Sequence, residues 1–457
     1  MPGTAPPSGM RDFLPEDVRR REYVIGIIKR VYERYGFEPL ETPAAENLET
    51  LLGKYGEEGN KLIFKILRRG EHEATGQADL ALRYDLTVPL ARVVAQYQAK
   101  LPRPFKRYQI QPVWRADRPG RGRFREFYQC DVDSLGSTSP LVEAELCGAV
   151  SDALTELGFK GFRFRINHRR RLTRLLRAFR IPPELHERAL VALDKLDKVG
   201  PDGVAAELRN GGLGADSVKA FLAFYGLVQT APGTYGADVS LLALDMSESA
   251  SSNTMAESDE MSAAENLRAI LELTKGTSAE SRMHYDPFLA RGLSYYTGAI
   301  MEVNVADLAG SLGGGGRYDN LVGMFSGQHI PACGFSLGLE RILVVMTERG
   351  MFPPSLATSP ADVMVATFDA AGAGPAMRVA GVLRGAGLRV MVYPDPDRIG
   401  RQIKYADGRG IPFVAILGED EIKAGTVTVK NLARQTQRTY QQSAAGAAIR
   451  EALTGRG

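Results

Sequence analysis

Cysteine is nearly absent. Cys130, Cys147 and Cys333 stand far apart in 457 residues, so the chain carries no CxxC pair and no disulfide framework. A reducing compartment is the expectation. The five histidines are scattered and give no metal-ligand spacing, and no Ser/His/Asp or Cys/His set is readable. No run of about 18 apolar residues occurs, and the opening MPGTAPPSGMRDFLP lacks the apolar heart of a secretory signal. A cytoplasmic protein without a membrane span is expected. A dominant charge is also lacking. The 57 Lys and Arg against 54 Asp and Glu leave a net charge of +3, so any nucleic-acid contact must come from local clusters. What remains is a globular composition, 44% apolar and 24% charged, at a length suited to two or three domains.

Pro15 opens a helical pattern with Val24, Ile27, Ile28, Val31 and Tyr35 on one face, and Gly36 stops it. Further helices read at 89–98 and 140–157. Residues 105–133 switch to period two around a Gly/Arg-rich break, which predicts a long hairpin. From 168 to 280 the pattern is helical but poorer. Within it DMSESASSNTMAESDE (245–260), with five acids and no base, reads as an insertion or mobile connection. A strand–Gly–strand section follows at 288–322, then an apolar strand and a helix across 332–349. MFPPSLATSPAD (351–362) reads as a linker. Beyond it DVMVATF, LRVMVYP and PFVAILG are β-rich runs between helical stretches, the pattern of a separate α/β domain.

In the hairpin Tyr108, Ile110, Pro112 and Trp114 share one face, and Arg107, Gln109, Gln111 and Arg115 the other. On the return strand Phe124, Tyr128, Cys130 and Val132 alternate with Arg125, Gln129, Asp131 and Asp133. The polar face is either solvated or a ligand face. RADRPGRGR, between the strands, holds four arginines and two glycines, so guanidiniums can fork onto phosphate oxygens. Gln129 and Asp133 can receive an amine or imidazole N–H.

SLGGGGRYDNLV (311–322) is neither a P-loop nor a GxGxxG turn; its glycines serve a close backbone approach or a bulged, permissive turn. LARGLSYYTG (289–298) is equally ambiguous. ACGFSLGLERILVVM (332–346) says more, a strand running into a helix with Leu339, Ile342, Leu343 and Met346 as its core stripe. Arg341 falls in the first turn, where a cation opposes the macrodipole by about 0.3–1 kcal/mol. A bound triphosphate, or pairing with Glu340 or another acid, resolves that conflict. HRRRLTRLLRAFR (168–180) reads as a solvated helix face or an RNA contact.

Together these segments resemble class II aminoacyl-tRNA synthetases, and among them the histidyl family. VWRADRPGRGRFREFYQCDVD is similar to motif 2 of the class and CGFSLGLERI to motif 3. The first helix with LETPAAE resembles the dimer-forming motif 1. LARGLSYYTG and SLGGGGRYDNLVGMF resemble the two histidyl signatures, and DRIGRQIKYADGRGIPFVAILGEDEIKAGTVTVKNL resembles the family's anticodon-binding domain. The resemblance implies an α/β protein. Residues 1–167 and 281–355 form an α+β catalytic core on an antiparallel sheet with flanking helices, interrupted by a mostly helical insertion at 168–280. A smaller mixed-sheet α/β anticodon-binding domain follows at 361–457.

The implied reaction joins L-histidine to histidine tRNA in two steps, through histidyl-adenylate made from ATP. Mg²⁺ accompanies ATP on the pyrophosphate side, and the enzyme is a homodimer. By the same resemblance Arg115 and Arg291 are catalytic, Arg115 holding α-phosphate and carboxylate and Arg291 stabilising charge at the α-phosphate. Arg123 and Arg341 join Arg115 in binding ATP. Asp85, Thr87 and Gln129 hold the α-amine, Asp133 and Tyr296 clasp the imidazole, and Tyr295 belongs to the same pocket. Asp85 and Asp133 match the eukaryotic branch where many bacterial members carry Glu, and Ser294 stands where the family usually has Asp. Two other readings are a non-catalytic regulatory subunit of ATP phosphoribosyltransferase and a tRNA-sensing module. The first usually lacks the last domain and the catalytic arginines; the second comes fused to a kinase, whose signature is missing here.

Overall fold

The computed structural model describes residues 3–70, 75–230, 262–291, 295–308, 310–353, 356, 359–395 and 397–454. The acidic segment 245–260 and Ser294 lie outside the described residues. The chain forms two compact units, Met1–Phe352 and Pro353–Gly457.

In the first unit the strands are β1 (Glu38–Pro39), β2 (Ala45–Asn47), β3 (Lys65–Leu67), β4 (Ala78–Leu82), β5 (Phe105–Trp114), β6 (Glu126–Leu135), β7 (Arg163–His168), β8 (Met283–Tyr285), β9 (Ala299–Asn304), β10 (Ser311–Arg317) and β11 (Ala332–Gly338). The main sheet has the order β1-β5-β6-β11-β10-β9-β7-β8, while β2, β4 and β3 make a small separate sheet. The main sheet is antiparallel except at its edges, where β1 runs parallel to β5 and β8 to β7.

Register fixes which side chains share a face. Tyr108, Val132, Phe335, Gly315, Met301 and Ile166 are successive partners across the sheet. Every side chain of that row joins one buried core, together with the helices Pro15–Arg34, Leu141–Glu156, Ala263–Leu273 and Leu339–Glu348. The helix Pro15–Arg34 starts on a proline with Glu16 and Asp17 in its first turn, as the macrodipole favours. It buries Val24, Ile27, Ile28 and Val31, each contributing about 1.5–3 kcal/mol relative to exposure. Gly36, at φ 75°, then turns the chain out of the helix.

The hairpin predicted at 105–133 is β5 and β6, with Arg107, Gln109 and Gln111 paired to Asp133, Asp131 and Gln129 as the alternation requires. The four glycines 313–316 lie inside β10, not in a turn, with a bulge between Ser311 and Gly313. In the segment 168–280 the described residues form the helices Arg169–Ala178, His186–Leu193, Leu196–Asn210, Ala215–Thr230 and Ala263–Leu273.

The second unit contains β12 (Val363–Thr367), β13 (Val390–Val392), β14 (Phe413–Leu417), β15 (Thr426–Asn431) and β16 (Thr436–Gln441) in the order β13-β12-β14-β15-β16. The first three strands are mutually parallel and the last two antiparallel, a mixed sheet. Val363 and Val365 enter one core, Met364 and Ala366 the other, so both faces are covered.

Candidate active site

The face of the main sheet opposite the four-helix layer is apolar at one end, where Phe105, Leu135 and Ala332 join a second core, and polar in its middle, where two cross-strand rows make a floor. One row runs Gln109, Asp131, Ser336, Gly314, Glu302, Arg165; the next runs Arg107, Asp133, Gly334, Gly316, Ile300, Asn167. The glycines leave the middle of the sheet bare, and side chains from elsewhere lie flat on it. A Cβ on Gly314 would meet Arg291 Nη1 at 2.0 Å, and one on Gly316 would meet the Tyr296 ring at 2.9 Å. One on Gly334 would meet Asp133 Oδ1 at 1.8 Å. A side chain at any of these positions would displace a residue of the site.

The four arginines singled out in the sequence converge. Arg341, in the first turn of its helix, is partly buried. Burial lowers its pKa, and the charges of Arg291, Arg123 and Arg115 lower it further against Glu302. Glu340 is not its partner: that carboxylate is taken by Arg21 at 2.8 Å and by the Tyr128 amide at 3.0 Å. Arg341 instead donates to the Ser311 carbonyl, and among the described residues no carboxylate lies within ion-pair distance of it. Arg115 donates to the Tyr84 carbonyl at 3.0 Å and lies over the Tyr84 ring at 4.3 Å. Arg123, in the loop between β5 and β6, is half-exposed and pairs with Asp117 at 2.7 Å. Arg291 donates to Glu302 Oε2 at 2.6 Å. Asp117, Glu302 and Asp85 offset part of this positive charge, and a bound anion would offset more of it.

Beside the arginines is a pocket of buried acids and tyrosines. Asp85 accepts from Tyr55 and the Val88 amide, both at 3.0 Å, and from Tyr295 at 3.2 Å. Burial nevertheless raises its pKa, against the nearby Arg115. Thr87 opens the helix Thr87–Tyr97 two residues on. Asp133 accepts from Tyr318, and Arg107 Nη2 lies 2.9 Å from its Oδ2 but off hydrogen-bond geometry. Gln129 donates to Ser336 Oγ at 2.8 Å, which leaves Oε1 facing no partner among the described residues. Burial pushes the carboxyls of Asp131 and Asp133 up, and Arg107 pulls both down. Tyr296, by contrast, makes its contacts through its ring, packed 5.1 Å from Tyr295. Buried acceptors without donors are costly unless a ligand supplies N–H groups.

Several residues of the site carry no role in the sequence reading, though Arg107 is placed there on the hairpin's polar face. Arg107 is fully buried and serves Asp133, Gln109 and the Leu86 carbonyl; its place opposite Asp133 was legible in the alternation, its burial was not. Tyr318 and Glu302 become visible only once β9 and β10 are folded together. Arg83, two residues before Asp85, pins that segment through the Pro112, Thr42 and Pro43 carbonyls. The run 168–180 divides its arginines: Arg171 turns inward to Tyr285 at 3.0 Å while others face out.

The profile of the family described as Histidyl-tRNA synthetase matches residues 9–342, about three-quarters of the chain. The chain belongs to the histidyl-tRNA synthetase family. A second profile, described as Anticodon binding domain, matches residues 362–452. The Gloeobacter violaceus protein named Histidine--tRNA ligase is 43% identical over 467 residues, covering 96% of this chain and 97% of its own length. The solved histidyl-tRNA synthetase of Nostoc sp. PCC 7120 superposes with a TM-score of 0.78 at 30% identity, covering 99% of this chain and 100% of that one. A Bacillus halodurans protein described as an ATP phosphoribosyltransferase regulatory subunit/histidyl-tRNA synthetase shares the fold, with a TM-score of 0.69 at 21% identity over 89% of this chain and 96% of that one.

Proposed function

We propose that this protein activates L-histidine with ATP and transfers it to histidine tRNA, with the polar face of the main sheet as its active site. The observation that carries this reading is the convergence of Arg115, Arg123, Arg291 and Arg341 beside buried, donor-seeking carboxylates. The histidine carboxylate attacks the α-phosphate, the bond to the β-phosphate oxygen breaks and pyrophosphate leaves. The terminal tRNA ribose hydroxyl then attacks the adenylate carbonyl and AMP leaves. Such chemistry depends on positioning and charge neutralisation more than on a protein nucleophile.

Arg115 bridges carboxylate and α-phosphate, Arg291 stabilises charge developing at the α-phosphate, and Arg341 and Arg123 take the triphosphate tail. Asp85, Thr87 and the open Gln129 Oε1 receive the α-ammonium. Asp133 and Tyr296 meet the imidazole, Tyr295 closing the wall beside them. For Mg²⁺ the fit is poor. Among the described residues no three of His, Cys, Asp or Glu are grouped for a metal, and guanidiniums offer no oxygen ligand. The ion is assigned to ATP's own oxygens, and no step is routed through protein ligands to it. We assign residues 1–167 and 281–355 to the catalytic core, 168–280 to an insertion and 361–457 to anticodon reading. The working form is a cytoplasmic homodimer, paired through the segment resembling motif 1. The regulatory-subunit reading is disfavoured because the arginines and the last unit are both retained.

The test is Arg291→Ala in histidine-dependent ATP–pyrophosphate exchange. A group that acts more strongly in the transition state shows its loss in kcat, here by roughly two orders of magnitude, with KM values little changed. Exchange at wild-type kcat by the folded variant would overturn the catalytic assignment.

A further inference from the structure

Arg291 extends from the segment before β9 across the sheet, hydrogen-bonded there by the carboxylate of Glu302 and with the Asp194 carboxylate also within electrostatic reach. Glu302 Oε2 accepts from Arg291 Nη1 at 2.6 Å. Its other oxygen faces Arg165 Nη1 at 3.3 Å, and Arg165 is Glu302's direct partner across β7 and β9. Arg165 is fixed in turn, donating to Asp286 at 2.6 Å and to Asp197, which lies on the helix Leu196–Asn210. On the far side of Glu302 the row continues to Gly314, whose missing side chain leaves the space that the Arg291 guanidinium fills.

We infer that Glu302 is a positioning residue for Arg291, held to its register by Arg165, so that the rest of the guanidinium fork is aimed at the incoming α-phosphate. This rests on the role given to Arg291 above. A carboxylate is an unfavourable neighbour for a triphosphate, and its presence here between two arginines is explained by the geometry it imposes. It takes one N–H of Arg291 and leaves the remaining donors uncommitted among the described residues. The long side chain is thereby confined before substrate binds, which is how orientation enters a rate. The chain Asp197–Arg165–Glu302–Arg291 also ties a helix of the 168–280 segment to the reacting centre through charge-assisted bonds.

The test is a double-mutant cycle in pyrophosphate exchange. Glu302→Gln keeps the shape and loses the charge; misplacement of about 1 Å costs up to roughly a hundredfold, so kcat should fall between about tenfold and a hundredfold with both KM values within about threefold. In the Arg291→Ala background the same change should cost less than about threefold, because the group it positions is gone. Arg165→Gln, which loosens Glu302 from its other side, should lower kcat in the same non-additive way. That variant carries the test if Glu302→Gln does not fold. Equal losses in both backgrounds, or a Glu302→Gln enzyme with wild-type kcat while Arg291→Ala is defective, would overturn the positioning role alone. An unimpaired Arg291→Ala enzyme would instead remove the reading on which it rests.

Discussion

A methyl group on Gly314 would sit 2.0 Å from Arg291 Nη1, and one on Gly334 would sit 1.8 Å from Asp133 Oδ1. Gly314→Ala is therefore expected to fold, since its strand neighbours stay paired, but to expel the guanidinium and lower exchange kcat by at least about tenfold. Circular dichroism and steady-state kinetics on the same preparation decide it; wild-type kcat would show that Arg291 acts from elsewhere. Asp133→Ala removes the acceptor offered to the imidazole. Because unmet polar pairing costs more than a lost methylene, the histidine KM should rise sharply while the ATP KM barely moves. Equal effects on both constants would place Asp133 outside the amino-acid pocket. In the sequence Asp133 could be placed on the polar face by alternation alone. Its tie to Tyr318, 185 positions away, could not, because only the pairing of β6 with β11 and of β11 with β10 brings them together.

The hairpin was legible because its middle alternates cleanly, Arg107, Gln109 and Gln111 against Tyr108, Ile110 and Pro112, although Val113 and Phe127 break the pattern near the turn; the helix Pro15–Arg34 was legible by its apolar stripe and proline start. Strand β16 was not: TQRTYQ is an exposed edge with no apolar alternation to report it. The three strands of the small sheet, three to five residues long, are too short for periodicity to register against helix. β7 did alternate, Phe164 and Ile166 inward against Arg163 and Arg165, but its last residue doubles as the cap of the next helix. That residue, His168, accepts from the Arg170 amide at 3.2 Å through Nδ1, which requires a neutral ring. Burial pushes its pKa down to about 3, and Arg170, Arg171, Arg317 and Arg174 add to the shift. A depressed pKa contributes stability that is present above the unfolded value of about 6.5 and is lost as pH falls toward the folded value. His168 should therefore lower the urea midpoint as pH falls from about 6.5 to 4.5, against the opposite contribution of the raised Asp131 carboxyl, and His168→Asn, which caps without titrating, should remove its share of that slope. An identical slope in the variant would remove His168 as its source.

Each unit owns its core: Met1–Phe352 has two apolar clusters on the two faces of its main sheet, and Pro353–Gly457 has another two. The change of period near 351–362 announced the second unit, because a parallel sheet covered on both faces reads as solid apolar runs such as FVAIL. Residues 1–352 alone should then fold and retain pyrophosphate exchange. Losing a second tRNA contact should cost charging about a hundredfold or more in kcat/KM for tRNA. Charging by the truncated protein at the full-length rate would contradict anticodon reading by the second unit.

The bare strip in the middle of the main sheet also governs how this protein can change. Gly26, Gly381 and Gly385 have nothing within 4 Å of where a side chain would grow, whereas Gly314, Gly316 and Gly334 are each occupied from above by another residue. A library covering every position should therefore show glycines of two kinds, one freely replaceable and one intolerant of even alanine. On the polar face of the sheet the intolerant ones should be Gly314, Gly316 and Gly334, a narrow band across β10 and β11 beneath the proposed substrates. Altered amino-acid preference would have to be sought beside that strip, at Asp133 and at the walls, Tyr295 and Tyr318 among them, since the glycines themselves have no side chains to exchange.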